Sequence, residues 1–300
     1  MKVAQLSTAC YISDTMLKSI GPQSSLRSGV AVSQRIRHDP THSLLQEAVR
    51  LFDTSQHLVA LTGAGISTPS GIPDFRSESS GLWRQFEPLE VASLWGFHDQ
   101  PERFYKWFRP LLHKMVSSRP NGAHKALARM EAAGSLAAVV TQNIDSLHQA
   151  AGSRQVVELH GHTRTMTCLD CGQTLSAEPM LEDVLRDILP PPCPACGGLL
   201  KPDVVLFGEP LPYDMLSRAQ YEALRADVML IVGSSLEVMP AADLPLLAKR
   251  RGAKLVLVNR TPTALDDYMD LILRVDVVKA VGSLAEAVCD VAMEPEVGAP

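Results

Sequence analysis

The sequence predicts an α/β fold in which helices cover both faces of a parallel β-sheet. Short, continuously apolar runs, typical of buried strands, occur at 58–62, 136–141, 156–159, 204–207, 228–232 and 254–258. Helical patterns separate several of these runs, at 123–133, 212–226 and 240–251. This alternation is what parallel strands with crossover helices require. Two stretches interrupt it, and we interpret them as insertions, at 83–118 and 164–200.

The composition is that of an ordinary globular chain. Of its 300 residues, 46% are hydrophobic and 20% are charged. The formal net charge of −5 gives no basic field that would draw the chain to nucleic acid. No apolar run approaches the roughly 18 residues needed to cross a bilayer. We therefore expect neither direct nucleic-acid binding nor a membrane span.

The domain organisation follows from these patterns. Residues 41–292 are predicted to form one folded domain, with its body at 41–82, 119–163 and 201–292. Residues 1–40 are serine-rich and hold five Lys/Arg against two Asp, without sustained periodicity. We expect a disordered N-terminal extension there, with a targeting peptide as the alternative. Residues 293–300 are expected to be a C-terminal tail.

Four of the six cysteines form two CxxC pairs, spaced C-x2-C-x21-C-x2-C, namely Cys168, Cys171, Cys193 and Cys196. Four thiolates at this spacing indicate a closed tetrahedral zinc site, which has no open position for water or substrate. We therefore predict a structural zinc holding a small ribbon, and treat a catalytic zinc as the weaker alternative. Cysteines without a disulfide-like pattern favour a reducing, cytoplasmic location.

Polar residues follow five of the apolar runs directly. The first run leads into Gly63-Ala64-Gly65, a turn that lets backbone approach phosphate, although Thr68 stands where a dinucleotide fingerprint has its third glycine. The others lead into Gln142–Asp145, His160, Gly233–Ser235 and Asn259. The carboxyl ends of parallel strands share one edge, so a Rossmann-like sheet would gather these groups around a nucleotide-sized polar ligand.

A base and several small polar groups are placed for chemistry at this edge. An imidazole titrates near neutral pH, and His160 lies directly after a strand and before Gly161, whereas His148 and His162 are less well aimed. Asp74, Asn143 and Asp145 lie on flanking loops, where they could instead cap turns and helix starts.

Several ordered motifs carry a family resemblance. The stretches GAGIS…SGIPDFR, TQNIDSLHQAAGS, ELHG, the paired CxxC, KPDVVLFGE, GSSLEVMPAADLP and VN resemble those of sirtuins, which are NAD-dependent protein-lysine deacylases. The resemblance runs in family order from about residue 41 to 290 and is strongest to the single-domain bacterial-type enzymes. It makes 41–292 a catalytic domain with a zinc module at 164–200 and a helical insertion at 83–118.

The resemblance implies roles for individual residues. His160 matches the catalytic base, with Asn143 and Asp145 beside it. NAD, the co-substrate, would be bound by Gly63, Ala64, Gly65, Ile66, Ser67, Thr68, Asp74, Phe75, Arg76, Gln142, Asn143, Ile144, Asp145, Gly233, Ser234, Ser235, Asn259, Arg260 and Val277. An acyl-lysine protein substrate would add a strand against Val204, Phe207, Gly208, Glu209 and Val238.

The implied reaction breaks the nicotinamide–ribose bond and yields free lysine, nicotinamide and O-acyl-ADP-ribose. Relatives that remove acidic acyl groups carry Tyr-x-x-Arg in the helical insertion; here Tyr105 is followed at that spacing by Phe108, with Arg109 one place further. We therefore expect acetyl or other uncharged acyl groups. Two positions depart from the family pattern, Ser146 where many relatives have glycine and Lys201 where most have arginine.

Two other functions stay open on the sequence alone. A protein mono-ADP-ribosyltransferase would use the same NAD pocket and bond cleavage. A non-enzymatic NAD sensor or zinc-ribbon adaptor is disfavoured, because binding alone needs no base such as His160.

Overall fold

The structure is a computed structural model that describes residues 40–74 and 87–291. Residues 1–39 of the predicted N-terminal extension and the predicted C-terminal tail lie outside these residues, as do Phe75 and Arg76, whereas Pro40 begins the first helix. Within the described ranges, no helix is both long and apolar enough to cross a membrane.

The central sheet confirms the predicted fold class. Its six strands are all parallel and are ordered β3-β2-β1-β7-β8-β9. Taken in chain order, this is the 3-2-1-4-5-6 arrangement of a doubly wound sheet, with its switch point between β1 and β7. The strands are β1 Leu58–Thr62, β2 Ala138–Thr141, β3 Val156–Glu158, β7 Val228–Val232, β8 Lys254–Val258 and β9 Leu271–Leu273.

Helices cover both faces of this sheet. One face packs against α1 Pro40–Thr54, α5 Gly122–Ala132 and α10 Val277–Val291 in a shared apolar cluster. The other packs against α8 Tyr213–Arg225 and α9 Leu244–Arg250. A short helix, α6 Leu147–Ala151, follows β2. Because both faces are covered, the strands are apolar along their whole length, which is the pattern that made them visible in the sequence.

A second, antiparallel sheet contains the cysteine pairs. It has three strands ordered β5-β4-β6, with helix α7 Glu178–Leu185 between β5 and β6. The strands are β4 Gly161–Cys168, β5 Thr174–Ser176 and β6 Leu200–Val204. The expectation that 204–207 is a strand of the parallel sheet was therefore wrong. The strand ends at Val204, and the residues after it form a loop in which Glu209 satisfies the backbone of Leu206.

The helical insertion contains α2 Pro88–Val91, α3 Leu94–Asp99 and α4 Pro101–Ser117. Its aromatic residues pack edge-on or stacked around Phe104. These aromatic residues and the apolar residues of the cysteine module belong to one buried cluster, which includes Phe104, Phe108, Met166 and Val184. The two insertions therefore share a core, separate from the cores on the two faces of the parallel sheet.

Candidate active site

A cavity of about 920 Å³ lies at the carboxyl edge of the parallel sheet. This volume is at the upper end of the range for sites that bind small molecules or cofactors. The structure brings most of the predicted site residues to its wall, namely Gly63, Ala64, Gly65, Ser67, Asp74, Gln142, Asn143, Ile144, Asp145, His160, Val204, Phe207, Gly208, Glu209, Gly233, Ser234, Ser235, Val238 and Asn259.

Of the predicted site residues that the structure describes, four do not line the cavity. Ile66 is fully buried beneath the glycine turn, and the Thr68 hydroxyl donates back to the Gly65 carbonyl at 3.1 Å. Arg260 is exposed and pairs with Asp276 at 2.5 Å, while Val277 is buried at the start of α10.

The cavity has an apolar wall whose residues were not among the predicted site residues. It is formed on α4 by Phe104, Trp107, Phe108, Leu111 and Met115. Their spacing of three or four residues is the signal that places them on one helix face, but the same spacing also fits a face buried in a core. The rim residues Thr261 and Pro262 follow Asn259 and were not singled out either.

Two glycine turns touch at the switch point of the sheet. The Gly65 amide donates to the Gly233 carbonyl at 2.8 Å. A Cβ added to Gly65 would lie 2.7 Å from the Gly233 Cα, and one added to Gly233, whose φ is +60°, would lie 2.4 Å from the Ile66 nitrogen. Only glycine permits this approach. The first glycine turn itself forms a short 3₁₀ turn, Ala64–Ile66.

The orientation of His160 is set by one hydrogen bond. Its Nδ1 lies 2.9 Å from the Gln142 carbonyl oxygen. A carbonyl can only accept, so Nδ1 carries the proton and Nε2 keeps its lone pair. Burial lowers the pKa of His160, and the bond to Gln142 opposes this in part. The imidazole is therefore neutral at pH 7, with Nε2 as the basic atom in the cavity wall.

A hydrogen-bonded triangle joins the first glycine turn to the loop after β2. The side-chain amide of Asn143 donates to the Gly63 carbonyl and to Ser67 Oγ, both at 3.1 Å. Ser67 Oγ donates to Asp145 Oδ2 at 2.7 Å, and the Leu147 amide donates to Asp145 Oδ1 at 2.9 Å. Asp145 thus supports the start of α6 and also lines the cavity. Burial raises its pKa, against the bonds from Ser67 and Leu147.

Two buried histidines lie behind this triangle and outside the cavity lining. Their ring centroids are 4.9 Å apart; His124 Nε2 is 3.4 Å from Ser67 Oγ, and His148 Nε2 is 2.9 Å from Thr62 Oγ1. Burial lowers the pKa of His124 to about 4 and that of His148 to about 3, the latter also through His124. His148 and His162, the other candidate bases, do not line the cavity, which leaves His160 as the histidine in its wall.

This histidine pair predicts acid sensitivity of the fold. The unfolded state binds protons at both side chains as pH falls below about 6.5, whereas the folded state does not until pH is near 4 or 3. Unfolding is then favoured at low pH, and each histidine should remove about 2 kcal/mol of stability between pH 7 and pH 5. His160 acts in the same direction, and Asp145, with its raised pKa, in the opposite one.

Urea unfolding at pH 7 and pH 5 measures this loss. A variant of an exposed histidine, His113→Gln, should lose as much stability as the wild type, whereas His148→Gln should lose less. Equal free energies of unfolding at the two pH values in the wild-type protein would contradict the prediction.

The loop after β6 is braced from within. Glu209 Oε2 accepts from the Leu206 amide at 2.7 Å and from Lys201 Nζ at 3.0 Å. The buried Lys201 also donates to the Val204 carbonyl at 2.9 Å. Glu209 therefore directs its carboxylate toward its own loop, and its role is to shape the cavity wall as well as to line it.

The four cysteines of the small module have the geometry of a metal site. Their Sγ atoms all lie within 4.8 Å of one another, with Cys168–Cys196 at 3.6 Å and Cys171–Cys193 at 3.9 Å. Zinc bound tetrahedrally at about 2.3 Å from each sulfur places the sulfurs about 3.8 Å apart. The Gly198 amide donates to Cys196 Sγ at 3.4 Å, as suits a thiolate. The cluster fits a structural zinc.

The order of the sheet, the size of the cavity and the neutral imidazole in its wall define an α/β enzyme with a dinucleotide-sized site. The sequence model described as "Sir2 family" matches residues 63–240. The chain belongs to the Sir2 family, the sirtuins, as the sequence motifs predicted.

Among its relatives, the NAD-dependent protein deacetylase 2 of Caldanaerobacter subterraneus subsp. tengcongensis is 44% identical over 232 residues, 77% of this chain and 91% of that protein. The NAD-dependent protein deacylase 2 of Archaeoglobus fulgidus is 47% identical over 228 residues, 76% of this chain and 89% of that protein.

Solved structures show the same fold. A Sir2 structure with a p53 peptide and NAD⁺ is 41% identical, with a TM-score of 0.74 over 81% of this chain and 97% of that one. A Sir2 variant with a deacetylated p53 peptide and 3′-O-acetyl ADP-ribose is also 41% identical, with a TM-score of 0.77 over 82% and 98% of the two chains.

Proposed function

We infer that this protein removes acetyl or other uncharged acyl groups from protein lysines in an NAD-dependent reaction, releasing nicotinamide and O-acyl-ADP-ribose. The observation that carries this function is His160, which lines a dinucleotide-sized cavity and whose proton is fixed on Nδ1 by Gln142, so that Nε2 is the basic atom. The relatives named as deacetylases and deacylases support the same activity. A nucleotide-binding adaptor has no use for a base held in this way.

NAD binding is assigned to the polar edge of the sheet. The backbone of Gly63–Gly65 and of Gly233–Ser235 would lie against the phosphates, since both turns line the cavity and backbone amides in such turns bind anions. Gln142–Asp145 would border the nicotinamide ribose, and Asn259 with Arg260 and Val277 the adenosine half. Asp74 lines the cavity and is followed in the sequence by Phe75 and Arg76, which are assigned to the same loop by the family resemblance. Ile66 is buried beneath the glycine turn, and Thr68 bonds to it.

When bound, NAD supplies a nicotinamide–ribose bond whose cleavage leaves ADP-ribose as the acyl acceptor. The residues of this chain then have separate tasks. His160 Nε2 accepts a proton from a ribose hydroxyl, a step that general-base catalysis accelerates by about 10²- to 10⁴-fold. Asn143 and Asp145, fixed through Ser67, orient the ribose, and the apolar wall on α4 excludes water.

The substrate is proposed to be an acyl-lysine in an extended protein segment. It would lie between the loop at Val204–Glu209 and the segment at Val238, both of which line the cavity. The Lys201–Glu209 pair keeps the first of these in shape. The p53 peptides bound to similar Sir2 structures support this class of substrate. The four unpaired cysteines of the small module suit a reducing, cytoplasmic location.

The acyl preference follows from two side chains that lie away from the cavity. The Tyr105 hydroxyl donates to the Leu200 carbonyl at 2.7 Å in the shared core, and the Arg109 guanidinium pairs with Asp187. Neither side chain lines the cavity, whose α4 wall is apolar. An acidic acyl group would bury a carboxylate there without a partner on the described α4 wall.

We predict that kcat/KM for an acetyl-lysine peptide exceeds that for the succinyl-lysine peptide of the same sequence by about 100-fold or more. Steady-state rates of nicotinamide release on the two peptides measure this ratio, and a propionyl-lysine peptide serves as the uncharged control of intermediate size. Faster turnover of the succinyl peptide would refute the predicted preference.

One incubation tests the activity itself. The zinc-loaded protein is mixed with NAD and acyl-lysine peptides, and the products are read by mass spectrometry. Deacylation gives nicotinamide, free lysine peptide and O-acyl-ADP-ribose in equal amounts. A mono-ADP-ribosyltransferase would instead transfer ADP-ribose from NAD to an acceptor protein and leave the acyl group on the peptide. Intact NAD with every peptide would overturn the proposed function.

A further inference from the structure

One guanidinium joins the strand that leads to His160 to the loop that carries Asp145. Arg164, on β4, donates to Glu158 Oε1 at 2.7 Å and to Glu158 Oε2 at 2.5 Å. It also donates to Ser146 Oγ at 2.6 Å. Glu158 is the last residue of β3, and Ser146 directly follows Asp145. Arg164 thus bridges two segments of the active site from outside the cavity lining.

Ser146 has an unusual backbone conformation. Its φ of 58° and ψ of 18° are left-handed, a conformation that residues other than glycine rarely adopt. Its hydroxyl makes no capping bond to helix α6, which begins at the next residue. The Ser146 hydroxyl instead accepts from Arg164, and the neighbouring Asp145 carboxylate accepts from Ser67 Oγ and from the Leu147 amide.

The same guanidinium balances a buried charge. Glu158 is only 7% exposed, and its carboxylate acts with burial to raise the pKa of Asp145. The bidentate ion pair with Arg164 neutralises Glu158, and the Glu158 carboxylate raises the pKa of Arg164. A planar guanidinium can donate two hydrogen bonds to a carboxylate and a further one to a hydroxyl, a geometry that the lysine ammonium group does not match.

We propose that Arg164 is a positioning residue for the loop at 142–145, holding Ser146 left-handed and neutralising Glu158 without touching the substrate. This inference rests on the proposed function, because it concerns the residues assigned to the NAD ribose. When the loop is released, only part of the population has the binding geometry, and the apparent affinity for NAD falls in proportion.

Substitutions at Ser146 test this positioning role with little change in side-chain volume. Ser146→Ala removes the acceptor but keeps a Cβ in the left-handed region, and we expect it to raise the KM for NAD by about 5- to 30-fold. The KM for the peptide should not change. Arg164→Lys should raise the KM for NAD in the wild-type background and raise it less in the Ser146→Gly background, since glycine adopts this conformation unaided.

A matched control removes another Arg–Glu pair. Arg186 and Glu182 form an exposed pair on and just after α7, so Arg186→Lys should leave both KM values unchanged. The inference is overturned if Ser146→Ala binds NAD like the wild type, or if Arg164→Lys has the same effect in both backgrounds. A fall in kcat alone, with both KM values unchanged, would indicate less folded enzyme and would also overturn it.

Calorimetric titration of the same variants with NAD measures the positioning effect without turnover. If the wild-type protein binds NAD but deacylates no peptide, the proposed function fails while the inference about Arg164 is still tested. If the wild type is active and Ser146→Ala has wild-type affinity, the inference fails alone.

Discussion

Replacing His160 with alanine is expected to lower kcat for deacetylation by about 10²- to 10⁴-fold while NAD binding is retained. The expectation follows from the hydrogen bond to the Gln142 carbonyl, which leaves Nε2 as the basic atom. Because burial lowers the pKa of His160, this base stays unprotonated to a pH below its ordinary value near 6.5. In the wild type, the acid limb of the pH profile assigned to this group should therefore lie below pH 6.5.

Turnover with an acetyl-lysine peptide and NAD affinity by calorimetry measure the two parts of this prediction. His113→Ala serves as the matched control, since His113 is exposed on α4. A His160→Ala variant that keeps wild-type turnover would exclude this residue as the base. A variant that loses NAD affinity together with turnover would show instead that the imidazole maintains the cavity.

The residues at strand ends could be predicted from the sequence because their placement depends on local pattern. His160 and Gln142 each follow an apolar run, and parallel strands deliver such residues to one edge. The metal cluster could be predicted equally well, since the spacing of two CxxC pairs is itself the signal. The hydrogen-bond partners of the site residues could not be predicted from the sequence. Ser67 meets Asp145 across 78 positions of chain, and nothing local in either segment specifies the other.

The errors also have physical causes. The run at 204–207 is apolar because its side chains face the cavity and the shared core, so apolarity alone did not show that the strand ends at Val204. The left-handed conformation of Ser146 was not predicted, because serine itself carries no signal for it and the partner Arg164 lies 18 residues away on β4; the glycine that many relatives have at this position was the one available sign. The apolar residues of α4 recur at helical spacing, but whether that helix face meets a core or a cavity depends on the tertiary fold.

The shared core of the two insertions connects the distant metal site to the active site. Phe104, Phe108 and Leu111 of α4 line the cavity and also belong to the cluster that contains Cys168 and Cys193. A closed shell of four sulfurs can take no part in the chemistry. The metal can still be required for turnover, because it holds the module against which the cavity wall packs.

Removing the zinc is therefore expected to unfold the small module and abolish activity together. Structural zinc contributes about 10–16 kcal/mol of binding free energy in small domains at neutral pH, far more than the core of such a short ribbon can replace. We predict that Cys193→Ser, or chelation of the wild type, exposes residues 164–200 to rapid hydrogen exchange and to protease. The parallel sheet, with its own cores, should stay protected.

The matched control is Cys289→Ser, which alters a buried cysteine in α10 away from the cluster and should leave the zinc content unchanged. Hydrogen exchange by mass spectrometry, zinc content and deacetylation are measured on the same samples. A metal-free protein whose module stays protected but which no longer turns over would contradict the structural role, because the metal would then act in the reaction itself. Loss of protection in the module before or together with loss of turnover is the order that a purely structural metal requires.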